Sequence, residues 1–279
     1  MLARPPWDVL RQRSMRRAAA ALLATVALLA APSAGMPEPS VVAQVDARDT
    51  LEPFEPFERA GGEVEAGFAF ATLPVRKSTT HGAMDEATCI KTLKKLKVPF
   101  VRAAGAQKIA QPIIMTGPIE GVEFDTGRAY KDRTIATGDA IDCRLALSLV
   151  DLVRVVKKHT VTTVLVKSFH RPNQKIDDPS APLRHRIGFA VDIAGFKTKA
   201  GVTWNVQKDF HGKIGQATCG TSAAKPVPES KAARELWAIF CQIVATEAFD
   251  SGISPNYNAS HFDHVHFDLT HDHPLLFFP

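Results

Sequence analysis

Cysteine is scarce in this sequence, at four in 279 residues, which excludes a small scaffold held by dense disulfides. Long apolar runs are also missing. The stretch from Ala18 to Ala31 is free of charge for about 14 residues, short of the roughly 20 that a membrane span needs. A polytopic membrane protein is thereby excluded. Neither sign of charge dominates, with 34 Lys and Arg against 29 Asp and Glu. There is no basic stripe with interleaved aromatics, so nucleic acid is not an expected partner. No long internal repeat and no regular βαβ rhythm is present. What remains is ordinary globular composition, 45% hydrophobic and 23% charged, at a length for one large domain or two small ones.

The net charge of +5 is unevenly spread. Residues 1–34 carry +4, residues 35–70 carry −6 and the remainder carries +7. Arg11, Arg13, Arg16 and Arg17 precede the apolar run, and Ala31, Ser33, Ala34 and Gly35 follow it. Basic region, apolar centre and small residues are the parts of an export signal, read here as residues 1–34. The protein is expected in the periplasm or cell envelope, and an uncleaved leader would tether it to the membrane. Residues 35–75 read as an acidic, Pro-rich linker around Glu52-Pro53-Phe54-Glu55-Pro56-Phe57-Glu58, unable to bury enough apolar surface to fold alone. The folded domain is expected over 76–279.

Within it, apolar spacing predicts helices over 85–96, 142–158 and 229–248. In the second, Leu145, Leu149, Leu152, Val153 and Val156 share one side. Strands are expected over 161–167, 189–194 and 262–269. Helices and strands mixed in this way indicate an α+β domain. Trp204 and Trp237 read as core or groove aromatics. Cys89, Cys143, Cys219 and Cys241 are even in number in an exported chain, which favours two disulfides. Three pairings are possible, and proximity in sequence favours Cys89–Cys143 and Cys219–Cys241. No CxxC pair supports a cysteine metal site.

Two clusters carry chemistry. The first is His185-Arg-Ile-Gly188-Phe-Ala190-Val-Asp192; the second is His261-Phe-Asp263-His264-Val-His266-Phe-Asp268. Side chains on a strand alternate faces. Val265, Phe267 and Leu269 would face a core, leaving His264, His266 and Asp268 together on the other face. Likewise Phe189, Val191 and Ile193 would face a core, with Asp192 opposite between small alanines. A turn before that strand could aim His185 back at Asp192, and Gly188 permits a close backbone approach. Two histidines and an aspartate plus water is the arrangement of a catalytic zinc. Asp263 and Asp268 are either acceptors that orient the histidines or merely polar strand positions. His271 and His273 read as a surface feature.

HxxGxAxD followed by HxH resembles the metal motif of the D-alanyl-D-alanine metallopeptidase and lysostaphin-type group. More closely, residues 85–270 resemble the bacterial extensin-like C-terminal domain family, through the four cysteines, SFHR, HRIGFAVDIAGF and HFDHVHFDL. The resemblance implies a small antiparallel sheet flanked by helices, like that of DD-peptidases and Hedgehog-type domains. It implies zinc on His185, Asp192 and His266, with His264 as base or transition-state stabiliser and Arg171 near the substrate carbonyl. Two positions depart from the related motifs. Leu183 stands where Ser is usual, and His170 where Cys often precedes the arginine. The activity implied is metal-assisted hydrolysis of an amide in peptidoglycan peptides or cross-links. The alternative is a non-catalytic module that binds the cell wall and uses its metal as a brace.

Overall fold

The computed structural model describes residues 75–173 and 183–269. The expected leader, the linker up to residue 74, and His271 and His273 lie outside the described residues. In chain order the elements are α1 (Lys77–Gly82), α2 (Glu86–Lys95), β1 (Phe100–Arg102), β2 (Pro112–Met115), β3 (Glu123–Asp125) and β4 (Ala140–Asp142). There follow α3 (Cys143–Lys158), β5 (Val161–Ser168), β6 (Ala190–Thr198), β7 (Thr203–Asn205), α4 (Val206–Asp209), α5 (Lys231–Val244), β8 (Ser251–Ile253) and β9 (Val265–Asp268). Short 3-10 turns lie at Tyr130–Asp132, Arg184–Ile187 and Ala259–His261. Helices and strands are mixed around open sheets, as the α+β reading expects.

The main sheet has the order β3-β5-β6-β9-β8, with β7 also paired to β6. Its pairs are antiparallel except β3 with β5, which run parallel. The sheet is thus larger than expected and not wholly antiparallel. A second, three-stranded antiparallel sheet, β1-β2-β4, was not foreseen. Its strands are three or four residues long, too short to register an alternation. β6 runs four residues past its predicted end because it changes partner. Val191 and Asp192 pair with β9, while Phe196 and Lys197 pair with β7. Gly195 makes that switch possible, since a Cβ there would meet the Trp204 carbonyl oxygen at 2.2 Å.

α3 starts where Asp142 caps it, accepting from the Arg144 N–H at 3.0 Å, and ends in Lys157 and Lys158, which suit a helix C-terminus. It was read as one-sided, yet it is buried nearly all round, including Arg144, Ser148 and Asp151. The reason is that α1, α2 and α5 pack on it as well as β5. Arg144 is tolerated there because Asp142 binds it through both carboxylate oxygens, at 2.8 and 3.0 Å. α5 is capped by Ser230 and buries Leu236, Ile239, Phe240 and Ile243. These meet Val191, Ile193, Phe196 and Phe267 in one core, each large side chain contributing roughly 1.5–3 kcal/mol.

Both disulfides form as proximity suggested. Cys89–Cys143 ties α2 to the first residue of α3, and Cys219–Cys241 ties the loop after α4 to α5. Among the described residues, no helix is long and apolar enough to cross a membrane.

Candidate metal centre

Three neighbouring strands lay a polar row across the sheet. Ser168 of β5 lies opposite Asp192 of β6, and Asp192 lies opposite His266 of β9. The alternation expected for β6 holds, with Val191 and Ile193 in the core. The expectation for the last strand needs correction. It begins only at Val265, and residues 261–264 form a turn in which the His264 N–H bonds the His261 carbonyl. Phe262 lies in this turn and is exposed. His264 reaches the site from this turn, not from the strand face.

His185 arrives from the 3-10 turn Arg184–Ile187. Leu183 precedes that turn and makes no side-chain cap. Backbone bonds order it instead: Arg186 N–H to the Leu183 carbonyl, Arg171 N–H to the His185 carbonyl, and Asp142 N–H to the Gly188 carbonyl. Buried His170 adds a bond from Nε2 to the Arg186 carbonyl at 3.2 Å. Burial holds the His170 pKa below normal, against that carbonyl. Gly188 closes the turn at φ 73°, and a Cβ there would lie 2.8 Å from the Asp142 nitrogen. Glycine is required twice over, by conformation and by space.

The structure brings His185, Asp192 and His266 together and buries all three. His185 Nε2 is 3.0 Å from Asp192 Oδ1, His266 Nδ1 is 2.9 Å from the same oxygen, and the two nitrogens are 3.2 Å apart. Their partners fix the tautomers. His185 Nδ1 faces the Phe169 carbonyl oxygen at 2.5 Å, which can only accept. His266 Nε2 faces Asp268 Oδ2 at 3.0 Å. Both N–H groups therefore point outward, and two bare nitrogens converge on one carboxylate oxygen. Three lone pairs at such distances repel unless a cation lies among them. A tetrahedral ion with bonds of about 2.0–2.1 Å would set its ligands about 3.3 Å apart. The donor set thus fits a metal ion. Asp268 is resolved as an orienting acceptor, not merely a polar strand position.

Asp192 divides its two oxygens. Oδ1 faces the histidines, while Oδ2 accepts from Ser168 Oγ at 2.8 Å and from Arg171 Nη2. Arg171 Nε also donates to Ser168 Oγ at 2.9 Å. Arg171 thus sits at the metal centre, its side chain 36% exposed. Burial alone would raise the Asp192 pKa, but the adjoining His185 and His266 outweigh it and hold the carboxylate ionised. Burial would lower the His266 pKa, yet Asp192 and Asp268 raise it to about 9.

His264 donates Nδ1–H to Asp263 Oδ1 at 2.7 Å, and Lys167 binds that aspartate at 2.6 Å. Its Nε2 lies 3.5 Å from Asp192 Oδ1. Burial lowers its pKa, against the pull of Asp192 and Asp263. A fourth histidine was left without a role in the sequence reading. His261 stands with its ring 5.0 Å from that of His264 and 6.2 Å from that of His266. Asn258 Oδ1 accepts from its Nδ1 at 2.7 Å. Burial first, then the nearby His264 and His266, lowers its pKa to about 4.

Comparison with known proteins bears on residues 88–275, which match the family described as Extensin-like protein C-terminus. The chain belongs to this extensin-like family. The matched range takes in all four cysteines, both clusters and Arg171, so every residue of the candidate metal centre lies within the extensin-like region. No curated protein and no solved structure matches the chain.

Proposed function

We propose that the protein is an exported, zinc-dependent amide hydrolase that acts on peptidoglycan peptides or cross-links. One observation carries the reading. Two bare imidazole nitrogens and one carboxylate oxygen converge on a point, and a third imidazole nitrogen, His264 Nε2, stands beside them. Two nitrogens and one oxygen are a donor set that suits zinc with an open position. The motif resemblance extends the reading to a fold related to DD-peptidases and Hedgehog-type domains, and from there to the peptidoglycan substrate. Two disulfides and the arginine-led leader support export to the periplasm or envelope.

When bound, zinc polarises an amide carbonyl and lowers the pKa of water toward about 7. The chain's own residues do the rest. His264 accepts a proton at Nε2, because Asp263 keeps its Nδ1 protonated. Lys167 and His264 hold Asp263 ionised against the burial that would raise its pKa. Arg171 fixes Asp192 and offers the exposed part of its guanidinium to a substrate carbonyl or carboxylate. The test is elemental analysis of the purified protein beside His185→Ala and His266→Ala, with muropeptide digestion. About one zinc per chain, lost in both variants together with peptide release, is expected. No metal in the folded wild-type protein after zinc is offered would overturn the reading.

A further inference from the structure

The polar row at the metal centre has a counterpart further along the same strands. Glu123 of β3 lies opposite Thr163 of β5, and Thr163 lies opposite Lys197 of β6. Their neighbours Phe124, Val164 and Phe196 belong to the core, so Glu123, Thr163 and Lys197 face away from it. Thr163 stands five residues before Ser168, about 16 Å along the strand. The second row is therefore remote from His185, Asp192 and His266.

The segment after β3 returns to that strand. Tyr130 accepts at its hydroxyl from the Phe124 N–H at 3.0 Å, and Arg133 Nη2 donates to the Phe124 carbonyl. Segment and row enclose a pocket of about 270 Å³. Three cations line it, Arg128, Arg133 and Lys197, against two carboxylates, Glu123 and Asp125. Asp125 is already satisfied. Its Oδ1 accepts from the Gly127 N–H at 2.8 Å, and its Oδ2 accepts from Lys197 Nζ at 3.3 Å. Asp125 and Lys197 thus balance each other. Glu123 is exposed, and it alone is left to face two arginines. Neither Arg128 nor Arg133 forms an ion pair among the described residues.

Arg133 decides what the pocket can hold. It is 7% exposed, and its guanidinium carbon sits 3.8 Å from the centre of the Tyr130 ring. That stacking and the bond to Phe124 fix its plane. Its other two nitrogens, Nε and Nη1, are buried and have no hydrogen-bond partner. Burial raises the Tyr130 pKa to about 12, so the phenol stays neutral and supplies no counter-charge. A buried charge is ordinarily paired or fully hydrogen-bonded. Left unbalanced in the low-dielectric wall of a cleft, it draws anions into that cleft. Arg128 is exposed and offers an incoming oxyanion further charged donors. The volume is below the roughly 300–1,000 Å³ of pockets that take whole small molecules, so it suits a single anionic group.

We propose that this pocket is a second binding site, which takes an oxyanion group, a carboxylate or a phosphate, at Arg128 and Arg133. The proposal does not depend on the hydrolase reading, because no residue of the metal centre takes part. The test titrates the full-length protein with acetate, inorganic phosphate and neutral acetamide at constant ionic strength, read by NMR shifts. Saturable movement of the Tyr130, Thr163 and Lys197 signals by acetate, phosphate or both, with none by acetamide, is expected. Saturation by acetate alone identifies a carboxylate as the group bound, and saturation by phosphate alone identifies a phosphate. Arg133→Gln should abolish the response. Arg128→Gln changes an exposed side chain, so it keeps the fold, and it should weaken binding at least about ten-fold. Equal shifts with acetamide, shifts that do not saturate, shifts confined to the metal centre, or anion binding unchanged in Arg128→Gln would overturn the proposal.

Discussion

Metal uptake by this protein should expel a proton. His266 Nδ1, His185 Nε2 and Asp192 Oδ1 lie within 2.9–3.2 Å of one another, and the partners on their far sides leave all three with lone pairs facing inward. With no metal bound, a proton is the only cation that can relieve this. It resides on His266, whose pKa rises to about 9 because Asp192 and Asp268 outweigh its burial. At pH 7 that proton is nearly always present, and removing it costs about 3 kcal/mol. Zinc binding at pH 7 should therefore release close to one proton per site. Apparent affinity should rise about ten-fold per pH unit up to about pH 9 and then level off. Calorimetry in buffers of different ionisation enthalpy measures the release, and competition with a coloured chelator measures the slope. Asp268→Asn removes a partner that raises the pKa, so its slope should level off at lower pH, while affinity above pH 9 falls about 10–100-fold. The folded state also holds this proton more tightly than the unfolded chain does. Its contribution to the stability of metal-free protein is full below about pH 6.5 and is lost as pH rises through about 9. Uptake at pH 7 without proton release, or equal affinity at pH 7 and pH 8, would refute the reasoning.

Other residues give simpler tests. His264→Ala should lower zinc-dependent turnover about 10²–10⁴-fold with metal content unchanged, because the imidazole lies beside the three ligands and not among them; loss of metal in the purified variant would contradict this. Gly188→Ala combines a φ of 73° with a clash at the Asp142 nitrogen and should destabilise the fold by about 1–3 kcal/mol in thermal denaturation. Removing Cys89–Cys143, which spans 54 residues, should cost about 4 kcal/mol, more than the roughly 3 kcal/mol for the 22 residues of Cys219–Cys241. Urea unfolding of the paired alanine variants ranks the two, and a reversed ranking would count against the chain-entropy account.

The meeting of His185, Asp192 and His266 was legible because its cause is local. Period-two alternation around Asp192 and His266 is written in the apolar residues between them, and Gly188 marks the turn that returns His185. The groups that orient the triad were less visible. Ser168 is the last residue of β5, and ending that strand at Lys167 hides that it lies opposite Asp192. The Phe169 carbonyl that fixes His185 belongs to the backbone and has no signature at all. His261 stands five residues from His266, which matches neither strand nor helix periodicity, because a 3-10 turn folds it back. The burial of α3 on every side was hidden for another reason. The apolar spacing says nothing of Arg144, and only the structure shows that the capping Asp142 pairs it in the interior.

The division of labour at Asp192 has a consequence for which ions the site accepts. Its Oδ2 is occupied by Ser168 and Arg171, so only Oδ1 is free to bind. Such a carboxylate is a one-toothed ligand and cannot rotate to offer both oxygens. Calcium, which gathers six to eight oxygens and often takes both from one carboxylate, is offered a single one beside two imidazoles. By holding one oxygen back, Ser168 and Arg171 would disfavour an ion that needs both.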